Sequence, residues 1–125
     1  MKRRLLLVED DLLLSEIIQK NLKSIGYDVT LAENGIEAVE MATSQLPDLI
    51  IMDIGMPKMD GLEATSRIRK NPKTQAIPIL AATAMDEPGD REKCLAAGCD
   101  SYIAKPFTFK ELRVAIETLL EKQSM

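Results

Sequence analysis

The chain has 125 residues, of which 46% are hydrophobic and 29% are charged. This length fits one domain and this composition supports a buried core, so two full-sized domains and a disordered chain are both excluded. Sixteen Lys and Arg against twenty Asp and Glu give a net charge of −4, which argues against general nucleic-acid binding because that function needs a clustered basic surface. The sequence contains no histidine and two cysteines, which excludes Ser-His-Asp and Cys-His nucleophile pairs and a four-ligand structural zinc site.

No segment of the sequence has the properties of a signal peptide or of a membrane span. The basic start at residues 1–4 is followed by only four apolar residues, 5–8, whereas a signal peptide needs about 7–15. No stretch approaches the ~20 apolar residues of a membrane span. Cys94 and Cys99 do not form a C-x-x-C motif, so we interpret both as reduced packing residues of a cytoplasmic protein.

Five short segments have the composition of β-strands. Three are nearly continuous apolar runs, typical of strands buried on both faces of a parallel sheet, and they cover residues 5–8, 49–52 and 77–82. Residues 27–31 alternate between polar and apolar, which predicts an edge strand with one wetter face. Residues 101–104 are a shorter fifth candidate.

Apolar residues at helical spacing predict a helix after each strand. The stripe of the first helix comprises Leu14, Ile17, Ile18, Leu22 and Ile25. Ile36, Val39 and Leu46 mark the second helix, which stops before Pro47. The remaining helices are indicated by residues 62–68, 91–97 and 112–120. Because strand and helix alternate five times, the sequence predicts an α/β fold: a doubly wound, five-stranded parallel sheet with helices on both faces.

Polar side chains follow four of the five predicted strands. They are, in chain order, Glu9, Asp10, Asp11, Asp53, Thr83 and Lys105. Ligands of open α/β sheets bind at the carboxyl ends of the strands. The turn after the second strand offers little to such a site, so a sheet order of 2-1-3-4-5, with that strand outermost, would bring the other four strand ends to one crevice.

This set of side chains suits a phosphoryl group. Carboxylates in one site raise one another's pKa unless a cation lies between them. Oxygen ligands without histidine or thiolate favour Mg²⁺ or Mn²⁺ as that cation. A carboxylate nucleophile, a metal and the donors Lys105 and Thr83 together provide what phosphoryl transfer needs. Each residue alone is explained as a turn, a helix cap or a solvated side chain, but that explanation does not account for four strand ends at once.

Four motifs resemble those of the receiver domain of two-component response regulators, and the resemblance covers essentially the whole chain. LLLVEDD (residues 5–11) resembles the acidic-pair motif and PDLIIMDIGMPKMDG (47–61) the phospho-acceptor motif. ILAATA (79–84) is similar to the switch-hydroxyl motif and YIAKPF (102–107) to the lysine-proline motif. The resemblance implies the flavodoxin-like receiver fold and one receiver domain over residues 1–125, with no output domain in the chain.

The resemblance also implies a role for each acid. Asp53 would accept a phosphoryl group from a histidine kinase or a histidine phosphotransfer protein. Asp10 would bind Mg²⁺ directly and Glu9 through water, and Asp53 and the backbone carbonyl of Gly55 would complete the protein ligands. Asp11 would be a helix-start residue. Such a domain is not an enzyme, since it performs only its own phosphorylation and a slow autodephosphorylation.

A conformational switch is a further implication of the resemblance. Lys105 would pair with a phosphoryl oxygen, and the peptide bond before Pro106 would be cis. Thr83 would move to hydrogen-bond the phosphoryl group and Tyr102 would turn inward behind it, which shifts the face made by the fourth helix, the fifth strand and the fifth helix. The output would be binding to a downstream protein, as a monomer or a phosphorylation-dependent dimer, without direct contact to nucleic acid or membrane.

Two positions depart from the pattern of this family. Gly55 and Met85 stand where family members carry side chains that flank the water attacking the acyl phosphate. Neither is polar here. We therefore expect hydrolysis to receive no side-chain help with water orientation, so that packing and access set the phosphorylated lifetime.

Three other functions are compatible with this architecture in principle. A flavodoxin-like carrier would need a hydroxyl-rich loop after the first strand and aromatic residues for the flavin, and the chain has acids there and no Trp. A haloacid-dehalogenase-type phosphatase would need a second acid where Gly55 stands. The remaining alternative is a receiver-shaped interaction module that acts without phosphorylation.

Overall fold

The computed structural model of the chain describes residues 2–55, 59–84 and 88–123. Within these residues, five strands alternate with five helices in the predicted order. The elements are β1 (Arg4–Val8), α1 (Leu12–Ser24), β2 (Asp28–Ala32), α2 (Gly35–Gln45), β3 (Leu49–Asp53), α3 (Gly61–Lys70), β4 (Ile79–Thr83), α4 (Asp90–Ala97), β5 (Ser101–Ala104) and α5 (Phe109–Gln123). β4 begins two residues later than predicted, because Pro78 has no N–H to donate to a neighbouring strand.

The five strands form one parallel sheet in the order β2-β1-β3-β4-β5. Leu6 of β1 lies opposite Thr30 of β2 on one side and opposite Ile50 of β3 on the other. β2 lies at the edge and exposes Asp28 and Thr30, in agreement with its alternating sequence. The predicted sheet order is confirmed, and it places the carboxyl ends of β1, β3, β4 and β5 side by side.

The sheet separates two hydrophobic clusters. Successive residues of a strand point to opposite faces, so Leu6 and Val8 of β1 belong to one cluster and Leu5 and Leu7 to the other. The first cluster is covered by α2, α3 and α4, and the second by α1 and α5. The predicted doubly wound fold, with helices on both faces, is therefore confirmed.

Two of the predicted stripes are confirmed only in part, since Ile18 and Leu22 are buried but other members of the stripes are exposed. Ile17 of α1 is 52% exposed, and Ile25, which follows the last residue of this helix, is 36% exposed. In α2, Ile36 and Leu46 are exposed, and Leu46 ends the helix in the left-handed conformation. The buried residues of α2 are Gly35, Ala38 and Ala42. The stripes were wrong at these positions because they followed the large aliphatic side chains, whereas α2 packs through small residues that allow close approach.

Short polar side chains cap four of the helices at their first turn, and in α5 the cap is Thr108, whose Oγ1 accepts a hydrogen bond from the Glu111 N–H at 3.1 Å. Asp11 Oδ1 accepts a hydrogen bond from the Leu14 N–H at 3.1 Å, and Asp60 Oδ1 accepts one from the Glu63 N–H at 2.9 Å. Asn34 caps α2 in the same way. Such caps satisfy backbone donors that have no partner within the helix. Asp11 is therefore a helix-start residue, as predicted.

Both cysteines are free and buried, as predicted for packing residues. Cys94 anchors α4 in the first cluster, and Cys99 Sγ lies 3.8 Å from Thr65 Oγ1. Burial raises the pKa of Cys99 to about 11, so this thiol stays protonated at neutral pH. As for the membrane, none of the helices in the described part of the chain combines the length and the apolar character that a span requires.

Candidate functional site

The carboxyl ends of four strands surround a cleft of about 520 Å³. Glu9 and Asp10 directly follow β1, Asp53 is the last residue of β3 and Thr83 the last residue of β4, and Lys105 follows β5. All five side chains line the cleft. Parallel pairing accounts for this convergence, because it aligns residues that are distant in sequence at one edge of the sheet.

Three acids in the cleft form a group that can hold a cation. Glu9, Asp10 and Asp53 each offer a carboxylate oxygen, and these oxygens lie within 4.8 Å of one another. Glu9 and Asp53 are buried, whereas Asp10 is exposed to solvent. A set of carboxylate oxygens without nitrogen or sulfur ligands suits a hard divalent cation such as Mg²⁺. The residues present therefore fit a magnesium ion.

Lys105 provides the positive charge among these acids. Its Nζ lies 3.1 Å from Asp53 Oδ1 and 3.2 Å from Glu9 Oε1. The Lys105 N–H donates to the Thr83 carbonyl at 2.8 Å, which continues the pairing of β4 and β5, and the Lys105–Pro106 peptide bond is cis. Burial alone would lower the pKa of Lys105, but attraction by Asp53 and Glu9 outweighs burial and raises it. Lys105 is therefore a permanent cation.

Glu9 is the acid whose titration is displaced towards neutral pH. The pKa of Glu9 is raised to about 7, chiefly by burial. The Asp11 N–H, which donates to Glu9 Oε2 at 3.2 Å, acts in the opposite direction and lowers this pKa. The negative charge of Asp53 contributes to this rise, and the positive charge of Lys105 opposes it. Two buried carboxylates that share one lysine thus leave a local excess of negative charge, which a bound cation would offset.

The backbone after Asp53 turns back towards its carboxylate. The Gly55 N–H donates to Asp53 Oδ1 at 3.2 Å, so Gly55 also lines the cleft. Apart from its chain neighbours, none of the described residues would lie within 4 Å of a β-carbon built at Gly55. Met85, the second position that departs from the family pattern, lies outside the described residues.

Thr83 and Tyr102 occupy different parts of the molecule. Thr83 is buried at the end of β4 and lines the cleft. Tyr102, one strand further along, lies outside the cleft; it is half-buried and packs against the first hydrophobic cluster. The guanidinium carbon of Arg91 in α4 lies 5.4 Å from the centroid of the Tyr102 ring, within the range of a cation–π contact.

Four residues that line the cleft were not predicted from the sequence, and two of them, Ile54 and Ala84, directly follow Asp53 and Thr83 in the chain. The other two are Asp90, the first residue of α4, and Leu14, in the first turn of α1. Leu14 was assigned to the core stripe of its helix. The sequence around Asp90 has no regular spacing of apolar residues. The one feature that could have indicated its place in the cleft is an acid at the start of a helix that begins at the carboxyl edge of the sheet.

Comparison with known proteins identifies the family. A family model described as "Response regulator receiver domain" matches residues 5–117. The chain belongs to this family. Receiver domains are regulatory phospho-acceptor domains rather than enzymes in the ordinary sense, and the family predicted from the four motifs is confirmed.

Two curated response regulators named MprA are similar to this receiver domain. Response regulator MprA of Mycobacterium ulcerans (strain Agy99) is 38% identical over 125 residues, which are 100% of this chain and 53% of the relative. Response regulator MprA of Mycobacterium leprae (strain TN) is 40% identical over 119 residues, 95% of this chain and 51% of the relative. The chain thus spans about half the length of the curated relatives that it matches.

Two solved structures are similar to the receiver over nearly its whole length. One is the receiver domain of the sensor histidine kinase PA1611 from Pseudomonas aeruginosa PAO1, with a TM-score of 0.89 and 41% identity over 97% of this chain and 99% of that one. That structure has a magnesium ion coordinated in the active site cleft. The other is the chemotaxis protein CheY4 of Vibrio cholerae, with a TM-score of 0.89 and 28% identity over 94% and 98% of the two chains.

Proposed function

We propose that this receiver domain is a phospho-acceptor switch in which Asp53 accepts the phosphoryl group. The observation that carries the proposal is the contact of one buried carboxylate, Asp53, with Lys105 Nζ at 3.1 Å, beside Glu9 and Asp10. Glu9 shares the contact with Lys105 and the same acidic neighbours, but its pKa is raised to about 7, so it is partly protonated near neutral pH and is the weaker nucleophile. Of the residues that line this cleft, Asp53 is therefore the best placed nucleophile.

The transfer uses groups that line the cleft together with a bound metal ion. A carboxylate oxygen of Asp53 forms the new bond to phosphorus while the bond from phosphorus to the donor breaks, and the donor keeps that electron pair. Lys105 then turns from the carboxylate to a phosphoryl oxygen, and the Thr83 hydroxyl donates to another. The product is an acyl phosphate on Asp53.

Asp10, Asp53 and the backbone carbonyl of Gly55 would hold Mg²⁺ directly, and Glu9 would hold it through water. The three-carboxylate group and the relative with magnesium in its cleft support this ligand set. When bound, the metal neutralises charge on the carboxylates and on the phosphoryl group. Mn²⁺ prefers the same oxygen ligands and would substitute for it.

Phosphorylation would change the face made by α4, β5 and α5. Of the residues of α4, Cys94 alone is fully buried, so few apolar contacts oppose a shift of this helix. Movement of Thr83 towards the phosphoryl group would vacate space at the end of β4 and let Tyr102 turn inward, away from Arg91. The face would then present a different surface to a downstream protein.

The donor would be a histidine kinase or a histidine phosphotransfer protein, and the output would be binding to another protein. We propose no direct contact with nucleic acid or membrane for this domain, and a monomer or a phosphorylation-dependent dimer. Autodephosphorylation would be slow. A cytoplasmic location stays a prediction from the sequence.

Intact mass after incubation with acetyl phosphate and Mg²⁺ tests this proposal, with EDTA and the Asp53→Asn variant as controls. We expect one added phosphoryl group that requires metal and is absent in Asp53→Asn. An adduct that persists in Asp53→Asn would place the acceptor elsewhere. Absence of any adduct in the wild type, together with no binding of beryllofluoride, would favour the interaction module that acts without phosphorylation.

A further inference from the structure

Gly35, the first residue of α2, occupies a position that the proposed chemistry does not use. It is buried, and its φ is not left-handed, so the backbone here does not require glycine. A β-carbon built at Gly35 would overlap the carbonyl oxygen of Met59 and would lie 2.9 Å from the Met59 carbonyl carbon. Glycine is therefore needed at this position for space, because the backbone of another segment lies directly against α2.

The start of α2 is held firmly at this contact. Asn34 Oδ1 accepts a hydrogen bond from the Glu37 N–H at 2.9 Å, and Glu37 Oε1 accepts one from the Glu33 N–H at 2.9 Å. These two bonds form a reciprocal capping arrangement that fixes the first turn of the helix. The first turn of α2 cannot easily yield if an atom is added at Gly35.

The position of Met59 affects the end of β3 through the next two residues, Asp60 and Gly61. Asp60 caps α3, and Gly61 is the first residue of that helix. A β-carbon at Gly61 would overlap the carbonyl oxygen of Asp53 and lie 2.8 Å from Ile54 Cα, and the Gly61 N–H donates to the Ile54 carbonyl at 3.1 Å. A continuous series of backbone contacts thus runs from α2 through the start of α3 to the end of β3.

We propose that Gly35 is a positioning residue for Asp53. Because Gly35 has no side chain, the Met59 backbone packs directly against α2, and Gly61 can then pack against Asp53 and Ile54. These contacts fix the position of the Asp53 carboxylate relative to the other acids of the cleft. The inference rests on the proposed function of Asp53. An added methyl group at Gly35 would push the Met59–Gly61 segment towards the end of β3. The carboxylate oxygens of Asp53 would then move relative to Glu9 and Asp10.

The test compares Gly35→Ala with Ala42→Gly. Both alter a small buried residue of α2, and both weaken the helix or its packing, but only the first adds an atom against Met59. Mg²⁺ affinity is measured by titration calorimetry at a temperature where circular dichroism shows both variants folded. We expect Gly35→Ala to weaken Mg²⁺ binding by about tenfold, the size found when supporting residues of a metal site are altered, and Ala42→Gly to stay within about twofold of the wild type.

A second variant covers the case in which Gly35→Ala does not fold. Asn34→Ala removes the cap and loosens the first turn of α2 without adding an atom, and we expect it to weaken Mg²⁺ binding in the same sense but less, again against Ala42→Gly. Equal Mg²⁺ affinities for the folded α2 variants would overturn the inference and leave the contact a packing feature. Failure of wild-type Asp53 to accept a phosphoryl group would instead overturn the proposed function, and the metal titrations would still decide the role of Gly35.

Discussion

Within the described part of the chain, Gly55 leaves open space within hydrogen-bond reach of the Asp53 carboxylate. Its N–H donates to Asp53 Oδ1, and apart from its chain neighbours no described residue lies within 4 Å of a β-carbon built at this position. A water molecule that attacks an acyl phosphate on Asp53 would therefore find no side chain of residue 55 to orient it. This is the structural basis for expecting that access and packing, rather than a polar side chain, determine the phosphorylated lifetime.

Gly55→Asn is expected to shorten that lifetime. The open space accommodates the new side chain, and one hydrogen bond to the attacking water contributes about 0.5–1.5 kcal/mol, which corresponds to hydrolysis about two- to tenfold faster. The measurement is the rate of loss of the phosphorylated mass after the phosphodonor is removed. Gly55→Ala fills the same space without a polar group and serves as the control. Equal rates for Gly55→Asn and the wild type would refute the hypothesis.

Among the larger elements, α3 is joined to the amino ends of β4 and β5 by one side chain. Arg69 donates from Nε to the Gly98 carbonyl at 2.8 Å and from Nη1 to the Ile77 carbonyl at 2.7 Å. Its Nη2 donates to Asp100 Oδ2 at 2.6 Å, and the same oxygen accepts the Ile79 N–H at 2.8 Å. This network lies at the opposite edge of the sheet from the cleft.

Arg69→Met is expected to destabilise the domain by about 2–3 kcal/mol, because it leaves several carbonyls and a carboxylate without their charged donor. Arg69→Lys should recover less than half of this loss, since an ammonium group cannot reach partners in three directions. Urea denaturation measures both. Arg67→Met is the matched control: its side chain is exposed and, among the described residues, forms its ion pair with Glu63 at the surface, so we expect a change within about 0.5 kcal/mol. A similar cost at both positions would contradict the proposed importance of the network.

The elements that could be predicted from the sequence are those whose pattern is local. β3 is a continuous apolar run that ends in Asp53, so both its burial and its contribution to the cleft were readable. The incorrect or missing predictions concern features that depend on contacts between segments distant in sequence. Ile36 faces solvent because α2 packs through small residues, and the contact of Gly35 with Met59 has no signature in either segment. Asp90 reaches the cleft only because α4 begins at that edge.

For the molecule as a whole, the doubly wound topology determines where charge accumulates. The sheet order brings the acids that follow β1 and end β3 to the same edge as Lys105. Burial of Glu9 and Asp53 in this cleft costs stability that the fold recovers only in part through one lysine. The same arrangement that prepares the site for a cation therefore makes the stability of the metal-free domain depend on pH.

In EDTA, the wild-type domain is expected to lose stability as the pH rises from about 5 to 8. The pKa of Glu9 is about 7 in the folded state and 4.5 in its ordinary environment, so between these values the folded state holds a proton that the unfolded state has released. Stability then falls as the pH rises. At about 1.4 kcal/mol for each pH unit, the total loss attributable to Glu9 is roughly 3 kcal/mol.

Glu9→Gln isolates this contribution, because glutamine resembles the protonated acid and does not titrate. Urea denaturation in EDTA should give similar stabilities for variant and wild type near pH 5 and a more stable variant at pH 8. Mg²⁺ should reverse the order at pH 8, since binding to the folded wild type adds stability and the variant has lost one carboxylate of the group. The contrary outcome is a stability difference between the two proteins that stays constant from pH 5 to pH 8 in EDTA. It would show that Glu9 has the same pKa in the folded and unfolded states. The cleft would then lack the excess of negative charge on which its affinity for a cation depends.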